Sequence, residues 1–498
     1  MQHTMLRDIL LLISSFAIVF CTALPSESRP SRLIDTVTQS RGAPDVDSFT
    51  YLDNGVVRLG IDLTRGGTLG WFGPSNNSSF SLLNIHDFGR VVQGSFYSGP
   101  NPFNPAGKCS EPGGWGQPWP WNPIGAGDVY VHAAPILNVT VSSDNASATV
   151  WTRPLQWACD NVPCDCAFEQ SITLVDNAVQ VKLTVHMARA DLTFYPGYTQ
   201  ELPAVYVIGD YCHLWTYNET SPFTGDTAIE QPAVWGVNAW DAFTSGERWM
   251  AFTNASGWGV GVVSESVAHF GAGFFNNGKI GTYNCTPQGL GPYDSPTGYI
   301  APWSAEILDA QAPFSYNFSL VLGTLEAIRL YAYTAHAEHR DDSLTPQYDF
   351  MARGDRAHCV FGDAQDTGLP ISAHIGGIEL NITGPHPSVI GPLSVWPSNN
   401  VSVIYVNASF DSSLEGTVSS MAWQLFGTDV PPCSTCFLNM PVTQADGNYH
   451  VLSFNLTTVS SWINTTITRI IFQPLGAAPV NTSVYGKLLV RIASITSD

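Results

Sequence analysis

Charge is what this chain has least of. Only 12 % of its 498 residues are charged, and Lys plus Arg number 20 against 41 Asp plus Glu. A formal net charge of −21 repels polyanions, so neither nucleic acid nor an anionic membrane surface is expected as a partner. It weighs less against an anionic polysaccharide, because a local basic cleft can override the global balance. Long apolar runs are missing beyond the N-terminus, so no membrane insertion and no lipid anchor are expected. Helical periodicity is nearly missing too. Leu325–His339 is the best amphipathic stretch, and strand remains open for it. Metal spacing is lacking as well: Cys433–Ser–Thr–Cys436 has no second CxxC or zinc-spaced His pair, and His336 and His339 have no third ligand. No metal and no cofactor are expected.

What is present in quantity is Gly (44), Pro (34) and aromatic side chains (12 %), the profile of a β-rich extracellular protein with many turns. Arg7, the apolar run Ile9–Phe20 and the small residues after it read as a signal peptide over 1–23. Residues 24–45 are polar and Pro-containing and read as a disordered leader. Asn-x-Ser/Thr acceptors are dense, among them Asn77, Asn138, Asn145, Asn218, Asn254, Asn317, Asn381, Asn407, Asn464 and Asn481. A secreted, extracellular glycoprotein is expected. Outside the cell cysteines pair. Cys159, Cys164 and Cys166 crowd one loop and are expected to bridge there or to Cys109 or Cys212, and Cys433 to Cys436. The odd count left after loss of Cys21 leaves one thiol free or intermolecular.

Short alternating runs at regular spacing predict an all-β protein with two sandwich domains. Strands are expected at Val56–Leu63, Leu69–Phe72, Val129–His132, Leu137–Val141, Ala148–Thr152, Phe168–Leu174 and Ala178–Met187. Polar residues 341–368 read as a connection between a domain over 46–340 and another over 369–498. In the latter, Val401–Val406, Met421–Phe426, His450–Leu456, Ile467–Phe472 and Lys487–Ile495 alternate as strands.

Chemistry concentrates in Asn84–Tyr97, which brings together His86, Asp87, Arg90, Gln93 and Tyr97 around Gly89. Soon afterwards Trp115, Trp119 and Trp121 stand in a Pro-stiffened loop that ends at Asn122 and Pro123. A sugar ring offers an apolar C–H face and a rim of hydroxyls, which suits flat aromatics flanked by charged and amide groups. The competing reading is a buried polar cluster under an aromatic corner. A second polar concentration, Tyr195–Tyr206, sets Glu201 between Gln200 and an apolar run, where burial raises a carboxyl towards the range of a general acid. A salt bridge or capped turn is the competing reading there. Trp249, Trp258 and Trp303 read as core.

Two resemblances add to this. Asp446–Gly–Asn–Tyr–His450, Phe454–Asn–Leu456, Trp462, Ile467–Pro474 and Gly486–Ile492 resemble the pattern of jelly-roll modules appended to secreted glycosidases. Gln473 stands where those modules usually carry Asp before Pro. Gly66–Gly67, the Asn84–Arg90 segment and the later carboxylate Glu201 are similar to the super-β-sandwich of galactose mutarotase-like proteins. That group includes epimerases, glycoside hydrolases and polysaccharide lyases, so the resemblance implies a carbohydrate partner and no single reaction.

The first expectation is therefore a glycoside hydrolase with a carboxyl pair, Asp87 ionised beside Arg90 and Glu201 as acid, with His86 as a further catalytic candidate. Arg90, Gln93, Tyr97, Trp119, Trp121 and Asn122 would bind the sugar. The alternatives are a lyase, with Tyr97 or His86 as base and Arg90 or Gln93 neutralising a uronate, and a non-catalytic sugar-binding glycoprotein.

Overall fold

A computed structural model describes residues 49–109, 119–191, 193–231, 241–275, 291–309, 313–338, 344–352, 354–366, 377–428 and 433–498, all within the compact unit 41–498. The signal peptide, the leader, Trp115 and Cys285 lie outside the described residues. Among the described residues strands make up 48 % and helix 6 %, and every strand pairing is antiparallel, so the all-β expectation holds.

The first sandwich pairs a nine-stranded with a seven-stranded sheet, joined at one side by a three-stranded sheet (Phe49–Asp53, Val57–Asp62, Thr68–Pro74). Its core fills from both large sheets. Val179, Val181 and Leu183 of the strand Ala178–Met187 meet Leu202, Val205 and Val207 of Tyr198–Ile208. The strand Trp249–Thr253 is buried on both faces, which alternation alone does not predict. Met250 and Phe252 enter the sandwich core, while Trp249 and Ala251 pack against Ile328 and Ala332 of the helix Leu325–Glu338. Gly261 permits that contact, since a Cβ there would lie 2.2 Å from the Ile328 side chain. The stretch open to helix or strand is thus helix, because its Ile328 and Ala332 find a sheet face to cover.

A second pair of sheets is built from strands between 347 and 497, with Val403–Phe410 and Tyr449–Asn455 in one and Val418–Leu425 and Thr466–Gln473 in the other. Trp396, Trp423 and Trp462 meet edge to face in its core. Two readings are corrected. Residues 341–368, read as a connection, supply the strands Gln347–Asp349, Val360–Gly362 and Ala364–Asp366 to these sheets. Among the described charges of this segment, buried Arg356 lies between Asp309 (2.9 Å) and Asp366 (3.3 Å). Val129–His132 is no strand either. The buried Asp128 carboxylate accepts from the Tyr130 and His132 amides at 2.9 Å each and turns the chain.

Cys109–Cys159, Cys164–Cys166 and Cys433–Cys436 are disulfides, Cys212 is disulfide-bonded, and Cys359 is a buried free thiol. No described helix is long and apolar enough to cross a membrane.

Candidate functional site

The site is built on the face of the seven-stranded sheet that points away from the core. Counting by twos from Val205, a core residue, would send Glu201 inward as well. An irregularity between Glu201 and Val205 shifts the register, so Leu202 enters the core and Glu201 turns to the other face. There Ala204, Tyr299 and Ala301 form a small cluster of their own with Tyr206 and Trp303. In the ladder Trp303 stands opposite Glu201, and Tyr299 opposite Tyr206. On the other side Ser95 pairs with Glu201, and Tyr97 follows it.

Both carboxyl oxygens of Glu201 are held by phenols. Tyr97 donates to Oε2 at 3.3 Å, and Tyr299 makes a short bond to Oε1. The Trp303 indole donates to the Tyr299 hydroxyl at 3.3 Å. Burial raises the Glu201 carboxyl above the ordinary carboxylate range, against the opposing pull of hydrogen bonds from Ser95, Tyr299 and Tyr97. Burial likewise pushes the hydroxyls of Tyr97, Tyr206 and Tyr299 up, and the Glu201 charge adds to each. Next to Trp303 (ring centroids 5.8 Å apart) lies His269, whose pKa burial pushes down to about 4, with Arg469 of the second sandwich adding to the effect. Trp303 reaches across Gly271, where any Cβ would sit 2.0 Å from the indole.

The rim of this face is the loop 84–90. Buried Asn84 docks it, donating to the carbonyls of Asp294 (2.8 Å) and Pro296 (3.2 Å). Asp87 is exposed and folds the loop on itself: Oδ1 accepts from the Gly89 and Arg90 amides at 3.0 Å, and Oδ2 lies 3.5 Å from Arg90 Nε. Arg90 also donates to the Ser295 carbonyl. His86 is exposed and donates from Nδ1 to the Tyr293 carbonyl at 2.7 Å, which in the neutral ring leaves Nε2 as the acceptor. The charges of Glu201, Asp87 and Arg90 all act on the Tyr206 hydroxyl, so the rim loop and the buried carboxyl share one electrostatic neighbourhood.

Three expected sugar contacts point elsewhere. Gln93 is buried, and its amide bridges Phe88 O (3.0 Å) and Ala126 N (2.7 Å). Trp121 is a core side chain, 2 % exposed. Asn122 is buried and donates to Phe96 O at 2.7 Å. In each case the strand or loop turns the side chain inward, where burial or a backbone partner outweighs exposure. Trp119 is half-buried, its indole donating to Asn122 at 3.3 Å. Trp303, read as core, instead lies half-buried on the outer face. The reading missed Ser95, Tyr206 and Tyr299, although Tyr299, Ala301 and Trp303 alternate along one strand and therefore share a face.

No family model and no curated protein matches the chain. Among solved structures, a galactose mutarotase related enzyme from Lactobacillus acidophilus is 11 % identical, with a TM-score of 0.31 over 55 % of this chain and 97 % of that one. A Paenibacillus xanthan lyase is 7 % identical, TM-score 0.31, over 93 % of this chain and 53 % of its own. An α-N-acetylgalactosaminidase from Bifidobacterium bifidum is 12 % identical, TM-score 0.34, over 59 % and 40 %. These neighbours are carbohydrate-active by name. At such scores no chemistry is carried over from them, and the site stands on its own geometry.

Proposed function

We propose that this face binds a neutral or acidic glycan and that the protein is a secreted glycoside hydrolase with Glu201 as its proton donor. The observation that carries the reading is a carboxyl gripped at both oxygens by tyrosines, raised by burial, and set opposite an indole on a solvent-side sheet face. A carboxyl whose hold on its proton is strengthened by burial can protonate a glycosidic oxygen as the bond breaks. Asp87, on the rim beside Arg90, is the second carboxyl of the pair, acting on water or on the anomeric carbon. Tyr206 and Trp303 offer ring faces for the sugar C–H surface. Lyase chemistry with Tyr97 as base is the weaker reading, because burial beside Glu201 opposes its deprotonation, which leaves His86 as the base that elimination would use. Export and N-glycosylation rest on residues 1–23 and the Asn-x-Ser/Thr density.

The test is a polysaccharide panel read simultaneously for reducing ends and for ultraviolet absorbance. Glu201→Gln is expected to lower kcat about 100- to 10,000-fold while oligosaccharide binding changes by only a few-fold. An unsaturated, absorbing product would replace this reading with elimination. Binding without any product would leave a sugar-binding glycoprotein.

A further inference from the structure

Gln200 is completely buried one residue before Glu201, and its carboxamide works as a substitute peptide group. The strand Gln93–Ser95 pairs with Tyr198–Ile208 only at Ser95 and Gln93, so the ladder has ended before Tyr97. Beyond that point Gln200 Oε1 accepts from the Tyr97 amide at 2.6 Å, and Nε2 donates to the Tyr97 carbonyl at 2.8 Å. The same nitrogen reaches the carbonyls of Tyr198 (2.8 Å) and Glu306 (3.3 Å). Only a side-chain amide offers donor and acceptor together at this reach, which is what two orphaned backbone groups of one residue require. The Glu306 end is itself braced: its carboxylate accepts from Ser304 Oγ at 2.6 Å and pairs with His358 Nδ1 at 2.8 Å, a residue of the second sandwich's chain segment.

We propose that Gln200 is a positioning residue of the site: by holding both backbone groups of Tyr97 it sets the Tyr97 hydroxyl against Glu201, and the second sandwich stiffens that hold through His358 and Glu306. The proposal rests on Glu201 being the functional carboxyl, as read above. It says nothing of Gln200 touching substrate.

The experiment follows the Glu201 carboxyl itself. In protein labelled with 13C-glutamate, its signal is assigned by its loss in Glu201→Gln and titrated by NMR, with kcat against pH measured in parallel. Tyr97→Phe removes a donor to the ionised carboxyl, so the Glu201 midpoint should rise by about one pH unit, the size of one hydrogen bond to a charged acceptor. Gln200→Met should raise it in the same direction, and the double variant should go no further than Tyr97→Phe alone. If Gln200→Met does not accumulate, Gln200→Asn, with an amide one methylene short, should give the same non-additive pattern. An unchanged midpoint in the Gln200 variant, or two shifts that simply add, would overturn the role. Non-additive shifts without turnover on any polysaccharide would keep Gln200 as the positioning residue and remove the hydrolase reading instead.

Discussion

At the scale of single residues, chemical type and destination part company. Trp121 and Trp303 are both indoles in strand-rich surroundings, yet Trp121 is 2 % exposed in the core and Trp303 lies across Gly271 on the outer face. Trp121 therefore contributes packing. Trp121→Ala is expected to cost about 3–5 kcal/mol in denaturant unfolding, through lost transfer energy and the cavity left behind. Oligosaccharide affinity measured in the surviving folded fraction should be unaltered. Gly271→Ala makes the opposite separation: its Cβ would collide with the indole, so tryptophan fluorescence and sugar affinity should change with the core intact.

Elements are set here by what covers them. The helix Leu325–Glu338 lies on the nine-stranded sheet and is pinned by one buried carboxylate. Glu247 accepts from Arg329 Nη2 at 2.7 Å and Nε at 2.8 Å, from the Tyr333 hydroxyl at 2.7 Å and from the Trp249 indole at 2.9 Å. With Glu247 buried, removing its cation leaves an uncompensated charge. Arg329→Met should destabilise the protein by about 3 kcal/mol, whereas Arg329→Met combined with Glu247→Leu should cost less than that single change. Chemical denaturation of the two variants decides it. The proposed glycan face, on the other sheet, should keep the Glu201 midpoint unchanged in the folded fraction of both.

For the whole molecule, the decisive contacts are those between the two pairs of sheets. Arg356 meets Asp309, His358 meets Glu306, and Arg469 acts on His269. Glu306 raises the His358 pKa, chiefly by its charge, with Asp355 adding and burial and Arg248 opposing. A histidine raised on folding binds its proton more tightly in the native state. Its stabilising contribution is complete below the unfolded value of about 6.5 and is lost as pH climbs through the raised folded value. The Tm of the native protein should accordingly exceed that of His358→Gln most at pH 6, with the gap closing towards alkaline pH. A gap that is constant across that range would show that the pair does not link the sheets by charge.

Much of this was legible in the chain because strand alternation is local. Ala178–Met187 ends where the pattern places it, and the strands around Ile467 and His450 differ only at their ends. The disulfide Cys433–Cys436 follows from its spacing, and the bridge Cys109–Cys159 is one of the pairings the crowded 159–166 loop left open. Glu201 was legible as a carboxyl in apolar company. What alternation could not decide is which face each residue takes once register slips. The irregularity after Glu201 turns it outward, while Gln93, Trp121 and Asn122 are turned inward by partners far along the chain. Tyr299 reaches Glu201 across 98 residues. Sequence periodicity determined that this is an all-β protein, and the residues around Glu201 set one carboxyl in apolar company. Only tertiary pairing decided that tyrosines hold it, because the neighbours that set its proton affinity come from strands no local pattern connects.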